Sequence, residues 1–305
     1  MRFALAPIIR HRSEPLELTA DEYGAIASAK DGLVTLVGIE QKFDLVLENY
    51  SEYEQALLGL AVQQVVFREN SYARFQRETL LVIRRLSNLL SSCRMYIDQI
   101  KHDTSTVFGP DHQVVLTVRT KCSEEYDAAL GYRLMEALRN VMQHRSVSGF
   151  VIKHSNEADP PGPHARLKTR LIPLLSVDDL KEGGLKASVQ QELSGGERSE
   201  LNSKVRQYIQ GIASIHLAFR QSASTERGRW ASELRAAYER GSAVWPEGGP
   251  RASDLIRYDD SGDVSESRHV FLEPLDYLTS LENKNQGPWA LARSFVSSES
   301  GPDDA

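Results

Sequence analysis

Three residues near the middle of the chain have the types and spacing for acid–base chemistry on a phosphodiester: Arg139, Asn140 and His144, in the run ALRNVMQHRS. An imidazole titrates near neutral pH (about 6.5 when unperturbed), so it can take up and return a proton. A guanidinium stays charged and grips a phosphate through two parallel hydrogen bonds. On a helix, Asn140 and His144 are four apart and share a face, with Arg139 one step round. The three would gather beside an apolar side made by Leu138 and Val141. Such a group could cleave RNA without a metal, with Arg133 and Arg145 as flanking phosphate contacts that position the strand. The competing explanation is an ordinary helix terminus, where Arg139 and His144 meet the last carbonyls and the negative end of the helix dipole.

The elements that must position this group are mostly helices. Residues 71–103 form the clearest: Ile83, Leu86, Leu90, Cys93, Ile97 and Ile100 alternate at three and four, the mark of one packed stripe. Gly109-Pro110 ends that region. The helix carrying the group is expected from about Ser123 through Tyr126, Leu130, Leu134, Leu138 and Val141. A further helix is expected over about 40–67, with Asn49-Tyr50-Ser51 as a possible break, and two more over about 199–220 and 224–240. Short strands are expected at 2–9, 33–38 (LVTLVG), 113–119 (QVVLTVR), 149–154 (GFVIKH) and 169–177 (TRLIPLLSV), with TADE at 19–22 as a helix start. The stretch 241–253 reads as a loop. VFLEPLDYLTSL adds one strand or helix before the tail SSESGPDDA, whose composition suits disorder. The fold class is therefore mainly α with a small β component and additional C-terminal helices. Its expected divisions are an α/β extension at 1–39, a helical domain at 40–150, a strand pair with two helices at 151–245, and a loop-rich segment at 246–305.

Composition narrows the function classes. The 305 residues carry a net charge of −6, which argues against general nucleic-acid binding, but the charge is uneven. Residues 71–154 hold twelve Lys/Arg against eight Asp/Glu, a balance of +4 that leaves −10 for the rest. No apolar run approaches the ~18 residues of a membrane span, and MRFALAPIIRHRSEP is too short in apolar character for a signal peptide, so a cytoplasmic location is expected. The two cysteines, Cys93 and Cys122, suit reduced thiols in helices better than a disulfide or a zinc site. Neither metal nor cofactor is expected. LSGGE at 193–197 is close to a loop of ATP-binding cassette ATPases. It has no phosphate-cradling G-x-x-x-x-G-K-[ST] element to work with, so it reads as a turn. The sequence also lacks H-E-x-x-H, G-x-S-x-G and G-x-G-x-x-G.

Arg139-Asn140-Val141-Met142-Gln143-His144 resembles the motif of the HEPN superfamily, whose ribonuclease members carry Arg, a polar residue that is often Asn, and then His after four to six residues. The resemblance covers about residues 40–150. It implies a helical bundle, with the motif on a helix packed against a long one, and a homodimer whose paired motifs face one RNA strand. By the same resemblance His144 handles the proton of the attacking 2′-hydroxyl or of the leaving oxygen. Arg139 would stabilise the phosphorane charge and Asn140 would orient His144 or the phosphate, yielding a 2′,3′-cyclic phosphate. Two features depart from the family: Ser146 stands where one branch has tyrosine, and Glu136 is spaced differently from the acidic residue of some members. The expected activity is that of an intracellular endoribonuclease of toxin–antitoxin or phage-defence type, with an antitoxin or defence-system protein as a further partner. The alternative is a non-catalytic helical dimerisation or interaction module built on the Ile83–Ile100 stripe.

Overall fold

A computed structural model describes residues 1–7, 14–67, 69, 71–144, 150–159, 166–176, 187–193, 198–245, 252–287 and 290–291. Among the described residues the fold is mainly α, with a small antiparallel β component. Among the described residues the helices are α1 (Ala20–Phe67), α2 (Tyr72–Phe108), α3 (Gln113–Ala128), α4 (Leu130–His144), α5 (Ala187–Leu193), α6 (Asn202–Val244) and α7 (Glu273–Lys284). The strands are β1 (Arg2–Pro7), β2 (Leu16–Leu18), β3 (Phe150–Asp159), β4 (Arg166–Ser176), β5 (Arg198–Glu200), β6 (Ala252–Tyr258) and β7 (Val264–Phe271). No helix among the described residues is long and apolar enough to cross a membrane. The chain packs as two compact units, each drawn from segments distant in sequence: 1–44, 99–118 and 218–286 in one, 45–98, 119–217 and 287–305 in the other.

The first unit holds the sheet β2-β1-β6-β7, antiparallel throughout. Helix α1 begins where the TADE cap was expected. Glu22 N–H donates to Thr19 Oγ1 at 3.2 Å and Thr19 N–H to Glu22 Oε2 at 2.7 Å, a reciprocal capping box. The helix then runs through LVTLVG, where a strand was expected. Leu33, Leu36, Ile39 and Phe43 recur every three or four residues and are all buried, so burial of one helical face outweighs the β preference of the two valines. Gly32 lets the Trp230 indole approach, since a Cβ there would stand 2.6 Å from the ring. Glu40, almost fully buried, accepts from Arg220 Nε at 2.8 Å and Nη2 at 2.5 Å, while Arg220 Nη1 donates to the Asn285 carbonyl. Strand β6 was not foreseen. It pairs β1 on one side and β7 on the other, closing with β7 around Asp259 and Gly262, whose φ of +92° suits glycine. The VFLEPL stretch divides, with β7 ending at Phe271 and α7 opening at Glu273-Pro274.

The second unit is a helical bundle with the sheet β3-β4-β5. The β3–β4 hairpin matches both expected strands. Residues 113–119, of which 113–118 belong to the first unit, are not a strand: Val114, Val115, Val118 and Cys122 are buried at helical spacing, so QVVLTVR opens α3. The single helix expected from Ser123 is interrupted at Ala129, which separates α3 from α4. The expected break at Asn49-Tyr50-Ser51 is helix interior, with Asn49 Nδ2 donating to the Leu45 carbonyl at 2.8 Å. The two helices expected over 199–240 are one. The hydroxyls of Ser222 and Ser224 bond back to the Phe219 and Gln221 carbonyls instead of capping a new start. Residues 194–197 of LSGGE and the C-terminal tail lie outside the described residues.

Candidate functional site at the end of α4

Helix α4 buries Tyr132, Leu134, Met135, Leu138 and Val141 on one side, which fixes which residues remain at its edge. Its start is seated by Gly131: the Gly131 N–H donates to Gln207 Oε1 of α6 at 3.2 Å, and an added Cβ would stand 2.7 Å from the Lys204 carbonyl oxygen. Tyr132 meets the Tyr208 ring edge-on, with centroids 4.8 Å apart. Small-residue contact at one end and aromatic packing beside it therefore set the rotation of α4 on α6.

At the other end, Arg139 is half-buried and Asn140 exposed. Arg139 Nη1 donates to Asn140 Oδ1 at 3.1 Å, and the buried Arg139 Nε has no hydrogen-bond partner among the described residues. His144 is the last residue of α4, one turn beyond Asn140 on the same face. Its side chain, and the whole of Arg145, lie outside the described part of the chain. Five residues at about 100° each put Arg139 and His144 some 140° apart around the axis, so one helix does not present both to a single point.

Arg133 is committed elsewhere. Its Nη2 donates to both carboxylate oxygens of Glu192 on α5, at 2.7 and 2.6 Å, and its Nη1 to the carbonyls of Tyr126 and Asp127 at 3.0 and 2.6 Å. Those carbonyls belong to the last turn of α3, where no intrahelical partner remains, so Arg133 caps α3 and clamps α5. Seven residues before Asn140 and eleven before His144, it lies within about 20° of their face of the helix, yet its guanidinium is spent on α3 and α5.

Glu136 does not hold Arg139. It accepts from Arg94 Nη1 at 3.0 Å and, through its other oxygen, from the Tyr208 hydroxyl. Burial, together with the neighbouring Cys93 and Glu136, pushes the Tyr208 phenol far above its ordinary range, so it stays a proton donor. Burial and then the Glu136 charge push the Cys93 thiol well up too. Cys93 and Cys122 are both buried, and neither forms a disulfide among the described residues. No group of three or more His, Cys, Asp or Glu among the described residues could hold a metal.

A polar cluster absent from the sequence reading lies where α2 begins. Arg74 and Glu78 are buried, with Arg74 Nε 2.6 Å from Glu78 Oε1 and Arg74 Nη1 donating to the Glu69 carbonyl at 2.9 Å. His154 of β3 brings Nε2 to 3.1 Å from Glu78 Oε2, and its ring meets Phe75 edge-on. The i, i+4 spacing of Arg74 and Glu78 was a visible signal for their pairing, but nothing local ties them to a strand residue 76 positions on. The same pattern disposes of much of the positive stretch: Arg85 pairs with Glu52, and Arg94 with both Glu136 and Asp98. In comparisons with known proteins, no family model, no curated protein and no solved structure matches the chain.

Proposed function

We propose that the chain is a metal-independent endoribonuclease of HEPN type, acting as a homodimer in a toxin or phage-defence setting. The observation that carries the reading is the Arg139–Asn140 pair at the polar edge of α4: a half-buried guanidinium tethered to an amide, with an N–H that has no partner among the described residues, one to two turns from a histidine at the helix end. A buried donor left without an acceptor is costly and calls for an occupant. A phosphate oxygen suits it. The 140° between Arg139 and His144 supports a composite site, in which each protomer's imidazole works with groups of its partner.

The chemistry balances without a metal. The 2′-oxygen bonds to phosphorus as its proton passes to one His144, and the bond from phosphorus to the 5′-oxygen breaks as that oxygen takes a proton from the other. Arg139 neutralises the charge that builds on the non-bridging oxygens. The products are a 2′,3′-cyclic phosphate and a 5′-hydroxyl. The test is RNA cleavage in EDTA: His144→Ala is expected to lose about 10²–10⁴-fold in rate, the usual worth of positioned acid–base catalysis. Equal cleavage by wild type and His144→Ala overturns the reading.

A non-catalytic dimerisation or interaction module is the alternative. The engagement of Arg133 with Glu192 and two carbonyls favours it, because that guanidinium is not free for RNA. Most of the Ile83–Ile100 stripe that first suggested this alternative is core: Leu86, Leu90, Cys93, Ile97 and Ile100 are buried and Ile83 is half-buried. A cellular phenotype that survives Arg139→Ala and His144→Ala would decide for the interaction module.

A further inference from the structure

Half of the large apolar side chains exposed among the described residues, eight of sixteen, fall between Leu58 and Leu80. They mark the end of the α1–α2 hairpin, where the Glu52–Arg85 ion pair holds the two helices alongside each other. From Ala61 to Phe67 no residue of α1 is buried. Yet Ala56 to Phe67 contains no charged residue at all. Val62 is 62% exposed, Val66 61%, Phe67 71% and Tyr72 79%. Summed over the eight residues, the exposed area is roughly 900 Å², close to one partner's ~800 Å² share of a standard interface.

Leu58, Val62 and Val65 follow one another at four and three residues, the a/d spacing of a helix seam that wants a second helix. We infer that this hairpin end is a dimerisation surface whose occupant is the same segment of a second copy of this chain. The area is what a stable dimer buries. The α1 side of the surface carries no charge, and the exposed Glu69 and Arg77 beside it are opposite in sign and 3.9 Å apart, so a symmetry mate can approach without net like-charge repulsion. A lipid surface fits less well, because membrane-surface helices set an excess of Lys and Arg on their polar face, whereas here α1 offers Gln63 and Gln64 and the exposed Arg77 is matched by Glu69. The inference does not rest on the nuclease reading.

The test is the mass of the full chain in solution, by sedimentation or light scattering. Wild type is expected at twice 34.1 kDa. Val62→Glu/Val65→Glu is expected as a monomer with unchanged circular dichroism and melting, its dimer weakened by about 100-fold or more. Leu116→Glu, at an exposed leucine elsewhere, should leave the dimer intact. Should the double glutamate variant fail to fold, Val62→Gln/Val65→Gln replaces it with the same expectation. A monomeric wild type, or a dimer indifferent to both double variants, overturns the inference. So does a monomer that binds neutral phosphatidylcholine vesicles, or a different protein, through this patch. A His144→Ala chain that keeps its dimer mass while losing RNA cleavage separates this surface from the nuclease site.

Discussion

Replacing Gly131 by alanine tests the seating of α4, on which the placement of Arg139 and Asn140 depends. The new methyl group would stand 2.6 Å from Gln207 Oε1, 2.7 Å from the Lys204 carbonyl oxygen and 2.8 Å from Gln207 Cβ. The glutamine oxygen can swing away, but the carbonyl belongs to the backbone where α6 begins, so α4 must lift. Forcing a methyl group into a filled site costs about 1–3 kcal/mol. Losing the Gly131-to-Gln207 hydrogen bond costs about 1 kcal/mol more. Against these stands the gain from glycine to alanine in a helix, about 1 kcal/mol. The net expectation is a loss of about 1–3 kcal/mol, a few degrees of melting temperature in a chain of this size. Gly24 supplies the internal control: it is exposed in α1, nothing lies within 4 Å of its virtual Cβ, and Gly24→Ala should stabilise by up to about 1 kcal/mol. Urea unfolding of both variants, followed by circular dichroism and tryptophan fluorescence, reads the two signs. A Gly131→Ala midpoint at or above wild type would refute the close approach of α4 to α6.

Two further outcomes follow from the polar interior of the second unit. Glu136→Ala leaves the buried Tyr208 hydroxyl and Arg94 without a shared acceptor, and should cost about 1–3 kcal/mol in the same unfolding assay; an unchanged midpoint would mean that the contact carries no weight. Cys93 and Cys122 should resist a thiol-specific chromogenic reagent in the native chain and react promptly in denaturant, because both are buried and the Cys93 thiol is pushed well up by burial and by Glu136. Prompt native labelling of Cys93 would contradict that placement.

Legibility in the sequence followed the range of the interaction. The Thr19–Glu22 box, the stop at Gly109-Pro110 and the stripe of α2 were all readable, since each depends on residues within a few positions of one another, and the β3–β4 hairpin was readable from two neighbouring apolar runs. LVTLVG and QVVLTVR misled for a physical reason. Branched side chains prefer strands only weakly, and a buried helical face at three- and four-residue spacing repays the difference. The motif Arg139-Asn140-His144 was legible as types and spacing, and so was its helix. The assignments of Arg133 to Glu192 and of Glu136 to Arg94 and Tyr208 were not, because those partners lie 59, 42 and 72 residues away.

By itself, then, the amino-acid order determined a mainly helical chain, its local starts and stops, and a guanidinium, an amide and an imidazole within one and a half turns of helix. Only the tertiary structure decided which charges are spent on holding helices together and which stand ready for a ligand. It also left the apolar end of the α1–α2 hairpin open to solvent. Capping and periodicity act over single turns, whereas the pairing of charges and the covering of apolar faces depend on which distant segments meet.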